Sequence, residues 1–463
     1  MTTTARSAPR NAFEGRFMLL GEPGYEQARL DAIWNGRKTG RKPAAILLAE
    51  SEADVQEGVR VAAREGWRVG IRSGGHSWIA SGIRDDALLI DLSGLDEITL
   101  DVEGRRATVQ PAAAGSTLNR TLDANGLVSP TGHCPSVGLG GFLLGGGYGW
   151  NSRALGPACF SVEAIDVVLA DGSIVHADDE SHPDLMWAAR GSGPGFFAIV
   201  TRYHLRVHPA YEQVLRSSYL FPHELRDEVL AWSYDVLPQT SQSLEMSGKV
   251  TLTPGYDQPT TLLVGVGFCR EDSPDEVFGA FEEIPFRKHA IRTVERAPSS
   301  LEQLYAASET FMPRGRRYAV DGVWTNASAA DILAAGDPIM TELPSPESFL
   351  FWMLWGSYPT QENACWSTQG QLYFSPNAVW TQPQDDLRME LWAHHALADF
   401  AEISCGTQFS DANPADRPDR GVEADQLARL ERLRVKYDPG GLLCSYLTPA
   451  ESTTALGAYL RTR

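Results

Sequence analysis

The sequence lacks any long hydrophobic run and is poor in positive charge. No stretch of its 463 residues approaches the ~18 consecutive apolar residues that cross a bilayer, so we expect no membrane span. Lysine and arginine number 40 against 59 aspartates and glutamates, which gives a formal net charge of −19. Because an acidic surface repels nucleic acid and anionic lipid, neither is expected as a partner.

Metal and disulfide motifs are missing as well. The six cysteines are scattered without CxxC spacing, and the ten histidines form no HExxH pattern. We therefore predict neither a disulfide framework nor a metal site. The first residues contain no apolar segment typical of a secretion signal, so we expect a cytoplasmic protein, as a monomer or a homodimer.

What is present first is a strand-helix-strand unit near the N-terminus. Residues 44–49 are predicted to form a strand, Ser51 to cap a helix that Gly66 ends, and residues 68–72 to form the next strand. Further strands are predicted at 87–92, 97–101, 106–110, 163–170 and 196–207, with helices at 116–124 and 182–190. Longer strand-like runs, such as 258–268 and 349–356, follow Pro209.

The strongest local feature is the glycine-rich segment 138–149, GLGGFLLGGGYG. Backbone N–H groups in such a segment can surround a pyrophosphate. It is not a plain dinucleotide fingerprint, because Pro135 and polar residues precede it where that motif needs a strand. A flexible linker or a glycine-rich hairpin would have the same glycine content, but bulky side chains are interleaved here.

Two further motifs present single reactive side chains, His76 in Ser-Gly-Gly-His-Ser and Cys134 directly before the glycine run. By itself, His76 fits a metal ligand, a general base or a structural loop histidine. Cys134 is either structural or reactive, and His133 with local backbone dipoles could favour its thiolate.

Together the three motifs resemble the FAD-linked oxidases of the vanillyl-alcohol-oxidase superfamily, and more narrowly its berberine-bridge-enzyme-like branch. The stretches ADG at 170–172, HPDLMWAARG at 182–191, FAIVT at 197–201 and VKYDP at 435–439 are similar to motifs of the same family. The resemblance covers residue 43 to about 208 and the C-terminal segment.

The resemblance implies FAD bonded covalently to two side chains, His76 at the 8α-methyl and Cys134 at C6 of the isoalloxazine ring. Val137 matches a position beside the flavin that admits O2 when its side chain is small, which favours an oxidase. The other implied cofactor contacts are Arg72, Ser73, Gly74, Gly75, Ser77, Gly138, Gly140, Gly141, Gly145, Gly146, Gly147, Tyr148, Gly149, Ile199 and Val200.

The fold implied by the family is α+β in two parts. Residues 1–209, with a core at about 43–208, and residues 421–463 would form the FAD-binding domain. Residues 210–420 would form a substrate domain, in which a large antiparallel sheet covered by helices closes the open face of the flavin.

The implied activity is transfer of a hydride from an alcohol-type carbon of a carbohydrate or secondary metabolite to flavin N5. O2 would then accept the electrons and give H2O2. An oxidative cyclase that forms a C–C or C–N bond is the alternative within this chemistry. Alternatives from other classes are a flavin-carrying binding protein without turnover and a cobalt or zinc hydrolase that uses His76.

The substrate side departs from the family, because Gly406 stands where many relatives have the tyrosine that helps to deprotonate the substrate. The remaining candidates for the base are Tyr358, Glu362, Tyr373 and Asp411. A cluster of tryptophans could line a substrate pocket or could simply form sheet core: Trp352, Trp355, Trp366, Trp380 and Trp392.

Overall fold

The computed structural model describes residues 12–417 and 421–462. Up to residue 209, the strands are β1 Arg16–Leu19, β2 Ala45–Leu48, β3 Val69–Arg72, β4 Leu88–Asp91, β5 Ile98–Asp101, β6 Arg106–Val109, β7 Leu127–Val128, β8 Val162–Val168, β9 Ile174–Asp178, β10 Ile199–Arg206 and β11 His208–Pro209. The helices there are α1 Tyr25–Asp31, α2 Glu52–Glu65, α3 Gly115–Asp123, α4 Leu139–Leu144, α5 Ser152–Leu155 and α6 Pro183–Ala189.

The first sheet contains the predicted strand-helix-strand unit, in the strand order β1-β2-β4-β3. β2 and β3 each pair in parallel with β4, and α2 packs against this sheet with Val55 and Val59 fully buried. The Ser51 hydroxyl accepts a hydrogen bond from the Asp54 N–H, and Gly66 ends the helix at a φ of +73°. Both predicted helix boundaries are confirmed.

The second sheet is antiparallel, in the order β5-β6-β10-β8-β9. β8 and β9 form the predicted hairpin, and Gly172 takes a φ of +78° in its turn. This sheet places the start of β10, Ile199 and Val200, at the interior of the protein. β7 and β11 form a small separate ladder.

The third and largest sheet is also antiparallel. Its strands are β12 Gln213–Pro222, β13 Leu244–Thr251, β14 Thr260–Cys269, β15 Arg292–Ser299, β16 Arg317–Val320, β17 Val323–Thr325, β18 Phe349–Leu354, β19 Leu372–Trp380 and β20 Ser404–Gly406. The helices that accompany it are α7 Arg226–Val236, α8 Pro274–Glu282, α9 Leu301–Phe311, α10 Ala329–Thr341 and α11 Asp386–His395.

Helices cover one face of the third sheet and leave the other facing a cavity. Val229 of α7, Val277 of α8 and Ile332 of α10 are buried in one apolar cluster with Leu244 and Met246 of β13. Because side chains alternate along a strand, Glu245, which lies between these two residues, points to the opposite face. The helices therefore anchor the sheet and leave its second face for function.

The C-terminal segment, with α12 Ala424–Tyr437 and α13 Ala455–Leu460, returns to the first sheet. The Cys444 N–H donates to the Val69 carbonyl, and the Val69 N–H donates to the Leu442 carbonyl, both at 2.8 Å. Lys436 of α12 forms an ion pair of 2.6 Å with Asp184 of α6. The fold is thus α+β with a large antiparallel sheet and covering helices, as predicted.

Within the described ranges, none of the helices combines the length and apolarity that a bilayer crossing requires. All six cysteines are free thiols.

Candidate active site

A cavity of about 850 Å³ lies between the N-terminal glycine segments and the open face of the third sheet. Its volume falls within the range of about 300–1,000 Å³ that small-molecule and cofactor pockets occupy. The predicted cofactor contacts that line it are Arg72, Ser73, Gly74, Gly75, His76, Ser77, Cys134, Val137, Gly138, Gly140, Gly141, Tyr148, Ile199 and Val200.

His76 and Cys134, which both line the cavity, meet at one hydroxyl group. The Ser136 Oγ lies 3.0 Å from His76 Nε2 and 3.8 Å from Cys134 Sγ. The 8α-methyl and C6 positions belong to the same ring of isoalloxazine, so two side chains that bond to them must lie close together. The structure meets that requirement, although the two residues are far apart in sequence.

The His76 imidazole is held in a sheltered aromatic environment. Its ring stacks on Trp34 with a centroid distance of 4.9 Å, and the Trp34 N–H donates to the Gly75 carbonyl at 2.9 Å. Burial, with the positive charge of Arg72 as the next cause, lowers the pKa of His76 to about 4. The ring is therefore neutral near neutral pH, with a lone pair available for bonding.

The expectation that His133 favours the Cys134 thiolate is wrong. His133 Nε2 lies 2.7 Å from a carboxylate oxygen of Glu245, so the imidazole pairs with this carboxylate and not with the Cys134 thiol. Burial raises the pKa of the Cys134 thiol, and the hydrogen bonds from Ser136 offset this only in part. In the protein alone Cys134 is thus a sheltered thiol rather than an activated thiolate.

A cradle of backbone groups adjoins His76. Among the described residues, the N–H groups of residues 73–77 donate to no protein acceptor. Gly74 and Gly138 are in backbone contact, since a Cβ built on Gly74 would lie 2.5 Å from the Gly138 nitrogen. Gly75 has a φ of +72°, which favours glycine. Such a set of unused N–H groups suits a pyrophosphate, so the site fits FAD.

The glycine-rich segment is only partly a loop, because Leu139–Leu144 forms the short helix α4. The structure corrects the expected contacts of the glycines that follow it, since Gly145, Gly146, Gly147 and Gly149 do not line the cavity. These glycines allow close packing instead. A Cβ would collide with Trp366 at position 146, with Ala158 at position 147 and with the Thr131 carbonyl at position 149.

The open face of β13 contributes three polar side chains to the cavity, Glu245, Ser247 and Lys249. Lys249 places its Nζ 3.2 Å from the ring centroid of Phe311 and 4.5 Å from that of Phe349. Its side chain lines the cavity, and burial lowers its pKa to about 7. No sequence motif surrounds Lys249, and only the register of the sheet shows that it lines the cavity.

Two of the four candidate bases meet in the cavity. The Tyr373 hydroxyl donates to Asp411 Oδ2 at 2.8 Å, and burial raises the pKa of Tyr373 well above its ordinary value. The Asp411 carboxylate also accepts hydrogen bonds from Trp78 Nε1 at 2.9 Å and Gln408 Nε2 at 2.6 Å. Three donors therefore hold this carboxylate in one orientation.

The other two candidates, Tyr358 and Glu362, do not line the cavity. Tyr358 packs against Phe160, and Glu362 is exposed. Gly406 does not line the cavity either, and it lies in β20 opposite Trp324. Its φ is +126° and a Cβ there would collide with Thr368, so no tyrosine fits at this position in the present fold.

The five tryptophans are packing residues rather than cavity wall: Trp352 and Trp380 lie in the third sheet, Trp392 lies on α11, and Trp355 and Trp366 are buried outside the strands and helices. None of Trp352, Trp355, Trp366, Trp380 and Trp392 lines the large cavity; Trp355 borders a smaller one. The tryptophans on the large cavity are Trp34, Trp78 and Trp150. Trp78 lies two residues after His76, and this closeness was the sequence signal available for it.

Asp166, His176 and His204 lie together at the outer face of the second sheet, away from the cavity. The two histidines are hydrogen-bonded to the carboxylate of Asp166, at 2.6 Å and 3.1 Å, which accounts for their arrangement.

Comparisons with known proteins agree with this site. The family described as an FAD binding domain matches residues 43–178. The FAD-linked oxidoreductase ptmO of Penicillium ochrochloron is 31% identical over 434 residues, which cover 92% of this chain and 95% of that protein.

Solved structures share the fold. 6-Hydroxy-D-nicotine oxidase from Arthrobacter nicotinovorans superposes with a TM-score of 0.82 at 20% identity, covering 95% of this chain and 98% of that one. The G164A variant of berberine bridge enzyme gives a TM-score of 0.79 at 17% identity, covering 94% and 96% of the two chains. The chain is therefore a member of the FAD-linked oxidoreductases, and it shares its fold with berberine bridge enzyme.

Proposed function

We propose that this oxidoreductase is an oxidase that holds FAD through covalent bonds to His76 and Cys134 and oxidises an alcohol-type carbon with O2. The observation that carries the proposal is the convergence of His76 and Cys134 on Ser136, in the cavity that also contains the Tyr373–Asp411 pair. A binding protein for flavin would need the cofactor contacts but not the proton-accepting pair.

The two covalent bonds are chemically compatible with the side chains present. Each bond replaces one hydrogen of FAD, on the 8α-methyl or on C6, and one hydrogen of the imidazole or the thiol. Each is therefore a two-electron oxidation, for which O2 is the acceptor and H2O2 the product. The neutral imidazole of His76 suits this reaction because its lone pair is not protonated.

Tyr373 and Asp411 would remove the hydroxyl proton of the substrate. The phenol accepts that proton as it passes its own proton to Asp411 Oδ2, to which it is already hydrogen-bonded. Trp78 and Gln408 keep the carboxylate in place during the transfer. FAD, when bound, would supply the hydride acceptor, and O2 would take up the electrons to give H2O2.

The cavity wall favours a secondary metabolite over a carbohydrate. Beside its polar side chains, the sheet face has an apolar part formed by Leu262, Val264, Phe351 and Met353, which offers no hydrogen bonds to the hydroxyls of a sugar. The same apolar wall favours a second candidate, an oxidative cyclase that closes a ring on an apolar substrate. Both reactions remove two hydrogens, so product mass shows that an oxidation has occurred. The structure of the product then shows whether a ring has closed.

Cofactor binding and substrate binding are assigned to different parts of the chain. In this proposal, residues 1–209 and 421–463 bind FAD, and residues 210–420 bind the substrate. Val137 on the cavity wall leaves room for O2 beside the flavin. We propose further that the enzyme works in the cytoplasm, as a monomer or a homodimer, on a small molecule without nucleic acid or membrane partners.

A substrate screen coupled to peroxide detection tests the proposal. Purified protein should release H2O2 with at least one apolar alcohol and consume O2 in equal amount. A holoenzyme that is reduced by a substrate but transfers its electrons only to an artificial acceptor would contradict the oxidase assignment. A holoenzyme that no member of a broad panel reduces would favour the binding protein.

A further inference from the structure

The cavity wall has an excess of positive charge, although the whole chain is acidic. Besides its histidines, the wall carries two carboxylates, Glu245 and Asp411, and five cationic side chains, Arg72, Arg84, Arg216, Lys249 and Arg292. Both carboxylates are engaged by partners, Glu245 by His133 and Asp411 by its three donors. The five cations differ in whether they have an ion-pair partner.

Two of the five cations are neutralised inside the protein. Arg72 forms an ion pair of 2.8 Å with Asp91, and Arg84 forms one of 2.7 Å with Glu451. Both lie in the FAD-binding half. The remaining three lie on the third sheet, and none of them forms an ion pair with a described residue.

Lys249 lies on the interior strand β13, while Arg216 and Arg292 lie on β12 and β15 toward the sheet edge. Arg292 is exposed and Arg216 is half-buried. These two arginines therefore place positive charge toward the edge of the cavity, and Lys249 lies further inside the cavity.

Lys249 is unusual because aromatic rings flank its ammonium group and no carboxylate of a described residue pairs with it. The rings of Phe311 and Phe349 flank its ammonium group, and its cross-strand neighbours are Leu262 and Phe351. Burial is the only cause of its lowered pKa, so no charged side chain from α9, β14 or β18 compensates it. Buried charges in proteins are normally paired, and here the chain provides no partner.

We propose that Lys249 binds a carboxylate group of the substrate, so that the substrate is an apolar molecule with one anionic end. The inference rests on the proposed function, because it assigns the substrate class of the same cavity. A carboxylate matches a single ammonium group, whereas a phosphate is normally surrounded by several donors, as residues 73–77 provide elsewhere in the cavity. Arg216 and Arg292 would attract the anion toward Lys249.

The binding should be linked to protonation. The free lysine has a pKa of about 7, and a carboxylate binds to its protonated form and raises that pKa. At pH 8, where the free amine is mostly neutral, carboxylate binding should therefore take up a proton. Affinity for the carboxylate should fall as the pH rises above 7.

Calorimetric titration of the purified holoenzyme tests this without turnover. The probes are 4-phenylbutyrate and its uncharged analogue 4-phenylbutan-1-ol, each measured at pH 6 and pH 8 in buffers of different ionisation enthalpy. At pH 6 we expect the carboxylate to bind about tenfold to a hundredfold more tightly than the alcohol, which is the usual value of a charged hydrogen bond. At pH 8 its binding should consume up to one proton.

The decisive variant is Lys249→Met, which keeps the apolar stem and removes the amine. It should bind both probes equally and without proton uptake, while Lys249→Arg should retain the preference for the carboxylate at both pH values. Lys288→Met, at an exposed site away from the cavity, is the matched control and should behave as the natural protein.

Three outcomes would overturn the proposal: no preference for the carboxylate, a preference that persists in Lys249→Met, or a loss of FAD in that variant, which would assign the lysine to the cofactor. Because binding is measured without oxidation, these outcomes stay distinct from a failure of the oxidase proposal, which appears only as missing peroxide.

Discussion

At the scale of single residues, burial holds the reactive groups of the cavity in their neutral forms. It lowers the pKa of His76 to about 4 and raises the pKa values of Cys134 and Tyr373. The neutral imidazole, thiol and phenol therefore add no charge of their own to the cavity wall. This state suits hydride transfer, since water and stray charge would compete with it.

The Tyr373–Asp411 pair leads to a prediction at this scale. Tyr373→Phe removes the group that accepts the substrate proton, and Asp411→Asn removes the group that receives the proton from Tyr373. Either change should lower kcat about 10²- to 10⁴-fold, the usual contribution of a general base. Stopped-flow measurement of flavin reduction should show the loss in the reductive step, with the FAD content unchanged.

The rejected candidate Tyr358 serves as the control, because it lies outside the large cavity. Tyr358→Phe should keep the rate of flavin reduction within a factor of about two, as a change away from the site with little cost in stability. A large loss in this variant together with normal rates in Tyr373→Phe would refute our choice of base.

Sequence reasoning found His76 and Cys134 because short local motifs surround each of them. It could not find Lys249, whose meaning comes from neighbours on strands and a helix distant in sequence. It also placed Gly406 as a missing tyrosine, whereas the backbone at this position excludes any large side chain. Local patterns therefore identified the cofactor side, and tertiary packing was needed for the substrate side.

At the scale of secondary structure elements, the two glycine segments act as one unit. The segment after β3 and the segment that begins α4 are in backbone contact at Gly74 and Gly138. This contact brings His76 and Cys134 to the same part of the cavity. The glycines thus allow the close approach of the two elements.

Gly74→Ala should separate these segments, since the new Cβ would lie 2.5 Å from the Gly138 nitrogen. We expect a loss of about 1–3 kcal/mol in the free energy of unfolding, as for other overpacked sites, and a lower ratio of flavin to protein absorbance. Gly279→Ala in α8, where a Cβ meets nothing within 4 Å, is the control. It should be neutral or more stable by about 0.5–1 kcal/mol, and equal flavin content in both variants would contradict the contact's role.

Most element positions could be predicted, because periodicity and capping residues act locally. The unit from β2 to β3 and the hairpin of β8 and β9 are found where expected. The helix α4 was not predicted, since a glycine-rich sequence has low helix propensity. Its burial against the rest of the FAD-binding half outweighs that propensity, with Leu139 and Leu143 almost fully buried.

At the scale of the whole molecule, the C-terminal segment packs against the first sheet. The turn after α12 is organised by Asp438, a buried residue whose two carboxylate oxygens accept from the N–H groups of Leu442 and Leu443, both at 2.8 Å. This turn aligns Leu442 and Cys444 beside Val69. The strand that leads into the His76 motif is therefore supported by residues more than 350 positions later.

Asp438→Ala should weaken this junction, because two buried N–H groups would lose their acceptor. We expect the free energy of unfolding to fall by about 1–3 kcal/mol, measured by chemical denaturation. Asp425→Ala, at an exposed position in the first turn of α12, should cost less than about 1 kcal/mol. Equal effects of the two changes would show that the return segment does not depend on this turn.

The two-part division of the chain was suggested by the family resemblance, while composition alone could not have revealed it. Pairing between segments so distant in sequence depends on long-range packing that no local window contains. Likewise, the excess of positive charge in the cavity is hidden by a net charge of −19.

If one FAD molecule is bonded to both His76 and Cys134, the intact mass of the denatured protein must include it. The expected mass is that of the polypeptide plus one FAD minus four hydrogens, two for each bond. His76→Ala and Cys134→Ala should each retain FAD with a loss of two hydrogens, and the double variant should release it. A mass of the bare polypeptide for the natural protein, with free FAD in the supernatant, would contradict the account.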